Sequence, residues 1–213
     1  MPESVTRGFP LFPLGIVALP GESVPLHIFE QRYRAMIEHC LEAEIGSPGR
    51  EFGIVWLSDE ELKPVGCACE IERVLERMDD GRLNIIARGT RPFRLIERRD
   101  DLPYPAGVVE FLREAAEEAD AGAGDAAREL YRELVMEATD REVEAEELGA
   151  MDAYDMAATV EFDVDAKQEL LELRSENARL RLLAELIQTA LERLELIERA
   201  QLRAMSNGKV RFG

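Results

Sequence analysis

Lysine, histidine, cysteine and tryptophan are all scarce in this 213-residue chain. Lysine occurs only as Lys63, Lys167 and Lys209, which leaves few routes to amine chemistry and no plausible Ser-Lys catalytic pair. The two histidines, His27 and His39, form no ligand pair with the cysteines, so neither a zinc site nor any other metal site is expected. Three cysteines, Cys40, Cys67 and Cys69, are too few and of the wrong parity for a disulfide framework and suit a reducing, cytoplasmic compartment. Cys67 and Cys69 are two apart, which puts both on one face of a strand, where buried, inert thiols are expected. No apolar run approaches bilayer-spanning length, which excludes a membrane segment. The N-terminus carries Glu3 and is broken by Pro10, Pro13 and Pro20, unlike a signal peptide.

Catalytic signatures are missing as well. Gly208-Lys209 lacks the upstream glycine spacing and the following Ser/Thr of a phosphate-binding loop, and there is no G-x-S-x-G elbow. No serine or cysteine stands beside either histidine as an obvious nucleophile. No catalytic residue, cofactor or metal is therefore assigned.

What is abundant is acid. The net charge is −18, and it is uneven: residues 1–113 hold 14 basic and 19 acidic side chains, residues 114–213 hold 12 and 25. Such a field repels nucleic acid. One local exception is the arginine run around Arg88, Arg91, Arg94, Arg98 and Arg99. Its first three members are weak anion-binding candidates, set against a reading as solvated strand residues paired with acids such as Glu97, Asp100 and Asp101.

The pattern of apolar residues divides the chain. Residues 52–57, 67–77, 82–89, 91–98 and 106–112 read as short strands, and Asp80-Gly81 is a hairpin-turn signal between two of them. Among them, residues 29–43 form one amphipathic helix, with Phe29, Tyr33, Met36, Ile37, Cys40 and Leu41 on its apolar stripe. Glu30, in the first turn, Arg32 and Tyr33 are expected to be mainly architectural. The expected fold is α+β: an antiparallel β-barrel with one inserted helix (residues 1–113), an acidic hinge (114–127) and a helical bundle (128–213). Within the bundle, Asp165 and Gln168 suggest a capping box, and Ser175 a cap for a long terminal helix from Glu176 to about residue 205, ended by Asn207-Gly208.

The opening stretch is the most distinctive. Pro10-Leu11-Phe12-Pro13-Leu14, then Pro20-Gly21, Pro25-Leu26 and Ile28-Phe29-Glu30 with Arg32 and Tyr33, resembles the start of the N-terminal substrate-binding domain of Lon-type ATP-dependent proteases. The resemblance continues through "VGCACEIERV" and "DGRLNIIARGTRPFRLIE", which include Gly89 and Phe93, and into the helical half. It implies a PUA-like barrel, and family-motif residues Pro13, Pro20, Gly21, Pro25, Phe29, Glu30, Arg32, Tyr33, Gly89 and Phe93 with structural roles. Prolines at strand edges and corners would stop further strand pairing. Lon proteases also carry ATPase and Ser-Lys protease modules, for which 213 residues leave no room, so the chain is similar to stand-alone bacterial members of this domain family.

The resemblance implies a non-catalytic module that binds unfolded or degradation-bound polypeptide, or another protein, through an apolar groove between barrel and bundle. Phe9, Leu11, Phe12 and Trp56 are the peptide-binding candidates, because a small barrel cannot take all the large apolar residues of the first strands. The alternatives are an RNA-binding PUA-like protein, supported only by the arginine run, and a small-ligand site in the interdomain cleft. Oligomeric state is not legible in the sequence. The purified chain is expected neither to hydrolyse ATP nor to cleave casein; activity that survives purification but is lost on a point mutation in this chain would contradict that.

Overall fold

The structure, a computed structural model, describes residues 5–44, 47–59 and 61–207. The chain folds as two compact units, one made of the residues up to Ala116 with Tyr154–Ser175, the other of Glu117–Ala153 with the residues from Glu176 onward. Among the described residues no helix is long and apolar enough to cross a membrane.

The first unit is built on seven strands: β1 (Val5–Leu14), β2 (Ser23–Ile28), β3 (Glu51–Ser58), β4 (Glu61–Leu62), β5 (Val65–Arg77), β6 (Leu83–Arg99) and β7 (Ala106–Phe111). The order β1-β7-β6-β5-β3 closes on itself because β1 also pairs with β3, from Leu11 opposite Gly53 to Leu14 opposite Trp56. A five-stranded barrel results. Its closing pair is parallel, whereas the other pairings are antiparallel. β2 lies on the first half of β6, outside the ring, and β4 forms a short hairpin with the end of β3.

The segments 82–89 and 91–98, expected as two strands, are one strand, β6. The ladder crosses Thr90–Pro92 with a register shift opposite Ala68/Cys69: Thr90 is the extra residue of a bulge, and Pro92 stays in register opposite Cys67.

Packing inside the barrel is set by aromatic rings and by glycines that make room for them. Phe93 is fully buried, with Phe9 edge-on at 5.4 Å and Phe111 at 6.5 Å between ring centroids. Leu11, Val55, Ala68 and Val109 complete this core. Side chains at Gly53 or Gly66 would reach within 2.5 Å and 2.8 Å of the Phe93 ring. Gly89 is tighter still. Its backbone accepts from Gly21 and donates to Glu22, both at 2.9 Å, and a Cβ there would lie 2.0 Å from the Leu19 carbonyl oxygen. The Pro20-Gly21 corner, with Gly21 at φ +80°, is thereby pinned to β6.

Helix α1 (Gln31–Glu42) buries Tyr33, Met36, Ile37 and Cys40. It starts two residues later than its apolar stripe suggested. Phe29 precedes the helix and is 59% exposed, and Glu30 stands at the N-cap, with no side-chain capping bond, and not in the first turn.

The helical half departs from the expected cut. Helix α2 (Ala121–Thr139) begins inside the segment expected as a hinge, because the Asp120 side chain accepts from the Ala123 amide and caps it. Only 112–120 lack regular structure between β7 and α2. The short helices α3 (Ala145–Ala150) and α4 (Ala153–Ala157) follow, then α5 (Val164–Glu172) and α6 (Glu176–Asn207). The sequence assigned all of 128–213 to one bundle, but 154–175 belongs with the barrel. Lys167 donates to Glu22 at 2.5 Å in a mostly buried ion pair, and Gln168 donates to the Val65 carbonyl at 3.1 Å. The N-cap of α5 is Asp163, which accepts from Ala166 at 2.9 Å; Asp165 lies in the first turn, and Gln168 is spent on the barrel. In the second unit α2 packs on α6, burying Tyr131 and Leu134 from one helix and Leu180, Leu183, Ile187 and Leu191 from the other. The expected stop at Asn207-Gly208 includes a residue outside the described ones.

Gly89→Ala should lower the melting temperature in thermal denaturation, with a cost of about 1–3 kcal/mol or more, because the obstruction is a backbone carbonyl that cannot rotate away. An unchanged melting temperature would show that the corner is not pinned as described.

Candidate functional site

The four peptide-binding candidates are all buried, contrary to the expectation that some remain at the surface. Phe9 and Leu11 point into the barrel, and Trp56 lies at the end of β3 with the Lys63 ammonium 5.2 Å from its ring centre. Phe12 points to the opposite face of β1 and is covered there by Tyr33 (4.2 Å between centroids) and Phe52 (6.3 Å). The sequence rule that one strand face is solvated fails here because α1 folds over the outer face of β1. Burial also explains the cysteines. It pushes the Cys40 thiol up to about 12 and raises Cys67 well above the ordinary thiol range, so both stay protonated and unreactive. Among the described residues no group of three His, Cys, Asp or Glu side chains could hold a metal ion.

The arginine candidates do not form an open anion site. Arg91 binds Glu51 at 2.7 Å and lies 3.9 Å over the Phe111 ring, while Glu51 also accepts from Thr90 at 2.8 Å. Arg88 is exposed and faces Glu70 across the ladder; Arg94, also exposed, faces Glu110.

Where the buried candidates end, a cleft of about 390 Å³ opens, wholly within the first unit. The end of β1 contributes Phe12, Pro13 and Leu14; the end of β2 contributes His27 and Ile28. Phe29, Glu30, Arg32 and Tyr33 come from the start of α1, Leu57 and Leu62 from the β3–β4 hairpin, and Arg98 and Pro105 from either side of the β6–β7 connection. Five family-motif residues thus meet at one place.

Phe29 is the most exposed apolar wall of this cleft. Ile28, the last residue of β2, is buried in the core, and Phe29, just past the strand, points outward. It does not hang free: its ring stacks on His27 at 5.8 Å. His27 Nδ1 lies 2.6 Å from Asn84 Oδ1, and the Asn84 amide donates to Glu76 at 2.9 Å. Asn84 is therefore oriented as the acceptor, and Nδ1 carries the proton. Leu57, also in the lining, is 40% exposed. At the rim, Arg32 binds Glu30 through two nitrogens at 2.9 Å each and lies 4.6 Å over the Tyr33 ring. Burial raises the pKa of the Tyr33 phenol, which remains neutral at physiological pH.

The model of the ATP-dependent protease La (LON) substrate-binding domain matches residues 8–189. The chain belongs to the Lon substrate-binding domain family. Solved structures agree. The Lon N-terminal domain protein from Xanthomonas campestris is 27% identical, with 84% of this chain and 97% of that one covered and a TM-score of 0.62. The N-terminal domain of Mycobacterium avium complex Lon protease is 22% identical, with 85% and 98% covered and a TM-score of 0.62, a likeness of fold alone. In this Lon-family domain the opening motif reads as architecture converging on a cleft: Pro13, Phe29, Glu30, Arg32 and Tyr33 line it, while Pro20, Gly21 and Gly89 form the pinned corner.

Leu57, Leu62 and His27 were not singled out as binding residues from sequence, and Arg98 only as a member of the arginine run. Leu57 carried a signal as the residue after five apolar positions where the strand leaves the core.

Tyr33→Ala should lower the melting temperature, costing about 2–4 kcal/mol, because the ring is buried against Phe12. A normal melting temperature would show that the ring contributes only to the cleft surface.

Proposed function

We propose that this Lon-family domain is a non-catalytic binding module whose cleft takes an extended segment of unfolded polypeptide. The observation that carries the proposal is Phe29: a large aromatic side chain, 59% exposed, held in place by His27 and lining, with a partly exposed Leu57, a cleft floored by Phe12 and Tyr33. Exposing such a ring to water is unfavourable, and burying it against a partner's apolar side chain is favourable. A pre-positioned aromatic anchor loses little conformational freedom on binding, which is why such residues dominate interface energies. The lining supplies no nucleophile–base pair, and no phosphate-binding loop occurs in the 213 residues, so binding without turnover is the activity the residues support. Membership of the ATP-dependent protease La (LON) substrate-binding domain family supports a role in selecting proteins for degradation.

The test is the anisotropy of a fluorescein-labelled, permanently unfolded polypeptide titrated with the domain. Phe29→Ser should weaken binding about ten-fold or more while leaving the melting temperature unchanged, since little of the ring is packed. Leu57→Ser should act in the same direction. If unfolded chain binds Phe29→Ser as well as it binds the original protein, this cleft is not the binding surface.

A further inference from the structure

The cleft is apolar at its centre but not neutral at its edge. Glu30 is the one acidic side chain in its lining, and both of its contacts with Arg32 are satisfied within the domain. Arg98 is different. It lines the same cleft from the end of β6, is exposed, and among the described residues its side chain makes no ion pair or hydrogen bond. A shallower depression on its other side shares Arg32 and Arg98 and contains Asp100, which forms no ion pair with Arg98. In a protein of net charge −18 the lining of this cleft thus holds two arginines against one carboxylate, which leaves Arg98, beside an exposed aromatic ring, without a partner among the described residues.

We propose that Arg98 receives the free C-terminal carboxylate of a polypeptide whose last residue places a large apolar side chain in the cleft between Phe29 and Leu57. This rests on the peptide-binding reading above and names the part of the chain that is bound. Charge complementarity selects a carboxylate, and geometry selects the terminal one. In an extended segment neighbouring side chains point to opposite faces, so an aspartate next to an apolar anchor would point away from a cleft this small. The α-carboxylate of a terminal residue is attached to the same Cα as its side chain and reaches the edge while the side chain fills the centre. Guanidinium and carboxylate match as paired donors and acceptors. Long-range repulsion from the acidic domain also disfavours segments rich in internal Asp or Glu, whereas one terminal charge beside Arg98 is a local contact.

The experiment uses three N-terminally labelled peptides of one apolar sequence. One ends in Leu-Phe with a free acid, one in Leu-Phe-amide, and one is an amide with an aspartate directly before the phenylalanine. At low salt the free acid should bind about ten-fold tighter than the amide. Arg98→Gln should remove that difference, and raising the salt should narrow it. If acid and amide bind equally and both weaken in Phe29→Ser, the carboxylate assignment is overturned while the peptide-binding reading stands. If the aspartyl amide binds as tightly as the free acid, and Arg98→Gln abolishes both advantages, the terminal source is wrong. If the acid's advantage persists in Arg98→Gln, Arg98 is not the receptor. If no peptide responds to Phe29→Ser, the peptide-binding reading itself fails.

Discussion

The barrel depends on closing five strands around one phenylalanine. Phe93 needs space from two neighbouring strands at once, and Gly53 and Gly66 provide it where any side chain would collide with the ring. Phe9 and Phe111 then meet its ring with edge-on geometry, the arrangement their quadrupoles favour. The interior is filled by these rings together with Leu11, Val55, Ala68 and Val109, so the barrel is a packed core and the cleft lies at its outside.

That closure places the cleft. Pairing β1 with β3 in parallel puts Leu14 beside Trp56 and brings the β3–β4 hairpin next to the end of β1. The Pro20-Gly21 corner, pinned to Gly89, returns the chain so that β2 runs along β6 and delivers Ile28 and Phe29 to the same region. α1 then covers the outer face of β1. A single segment of about twenty residues supplies floor, aromatic wall and rim because two corners fold it back on itself. The prolines of this segment limit strand addition along it.

The polar groups sort by whether they are already paired. Glu51 with Arg91 and Thr90, and Lys167 with Glu22, are committed to holding strands and helix in place. Burying such groups without partners would be costly, and each has one. Arg98 is left at the cleft edge with its guanidinium free among the described residues. Within the arginine run, Arg91 and Arg99 are bound to acids, whereas Arg98 lines the cleft.

Much of this was legible in the sequence, since local chemistry carries it. The Asp80-Gly81 turn, the amphipathic spacing of α1 and α6, the burial of Cys67 and Cys69 on one strand face, and the family motif from Pro10 to Tyr33 all follow from residue type and spacing. What the sequence could not decide is which faces meet. Alternation shows that Phe12 lies on the face opposite Leu11, but only α1 folding back makes that face interior. Helical periodicity identifies α5, but only Gln168 reaching Val65, 103 positions earlier, assigns it to the barrel unit. Residues 82–89 and 91–98 read as two strands until the bulge at Thr90, opposite Ala68 and Cys69, joins them into one. Periodicity reports the chemistry of one element's surface; its burial depends on partners far along the chain, and those are settled only when the tertiary structure closes.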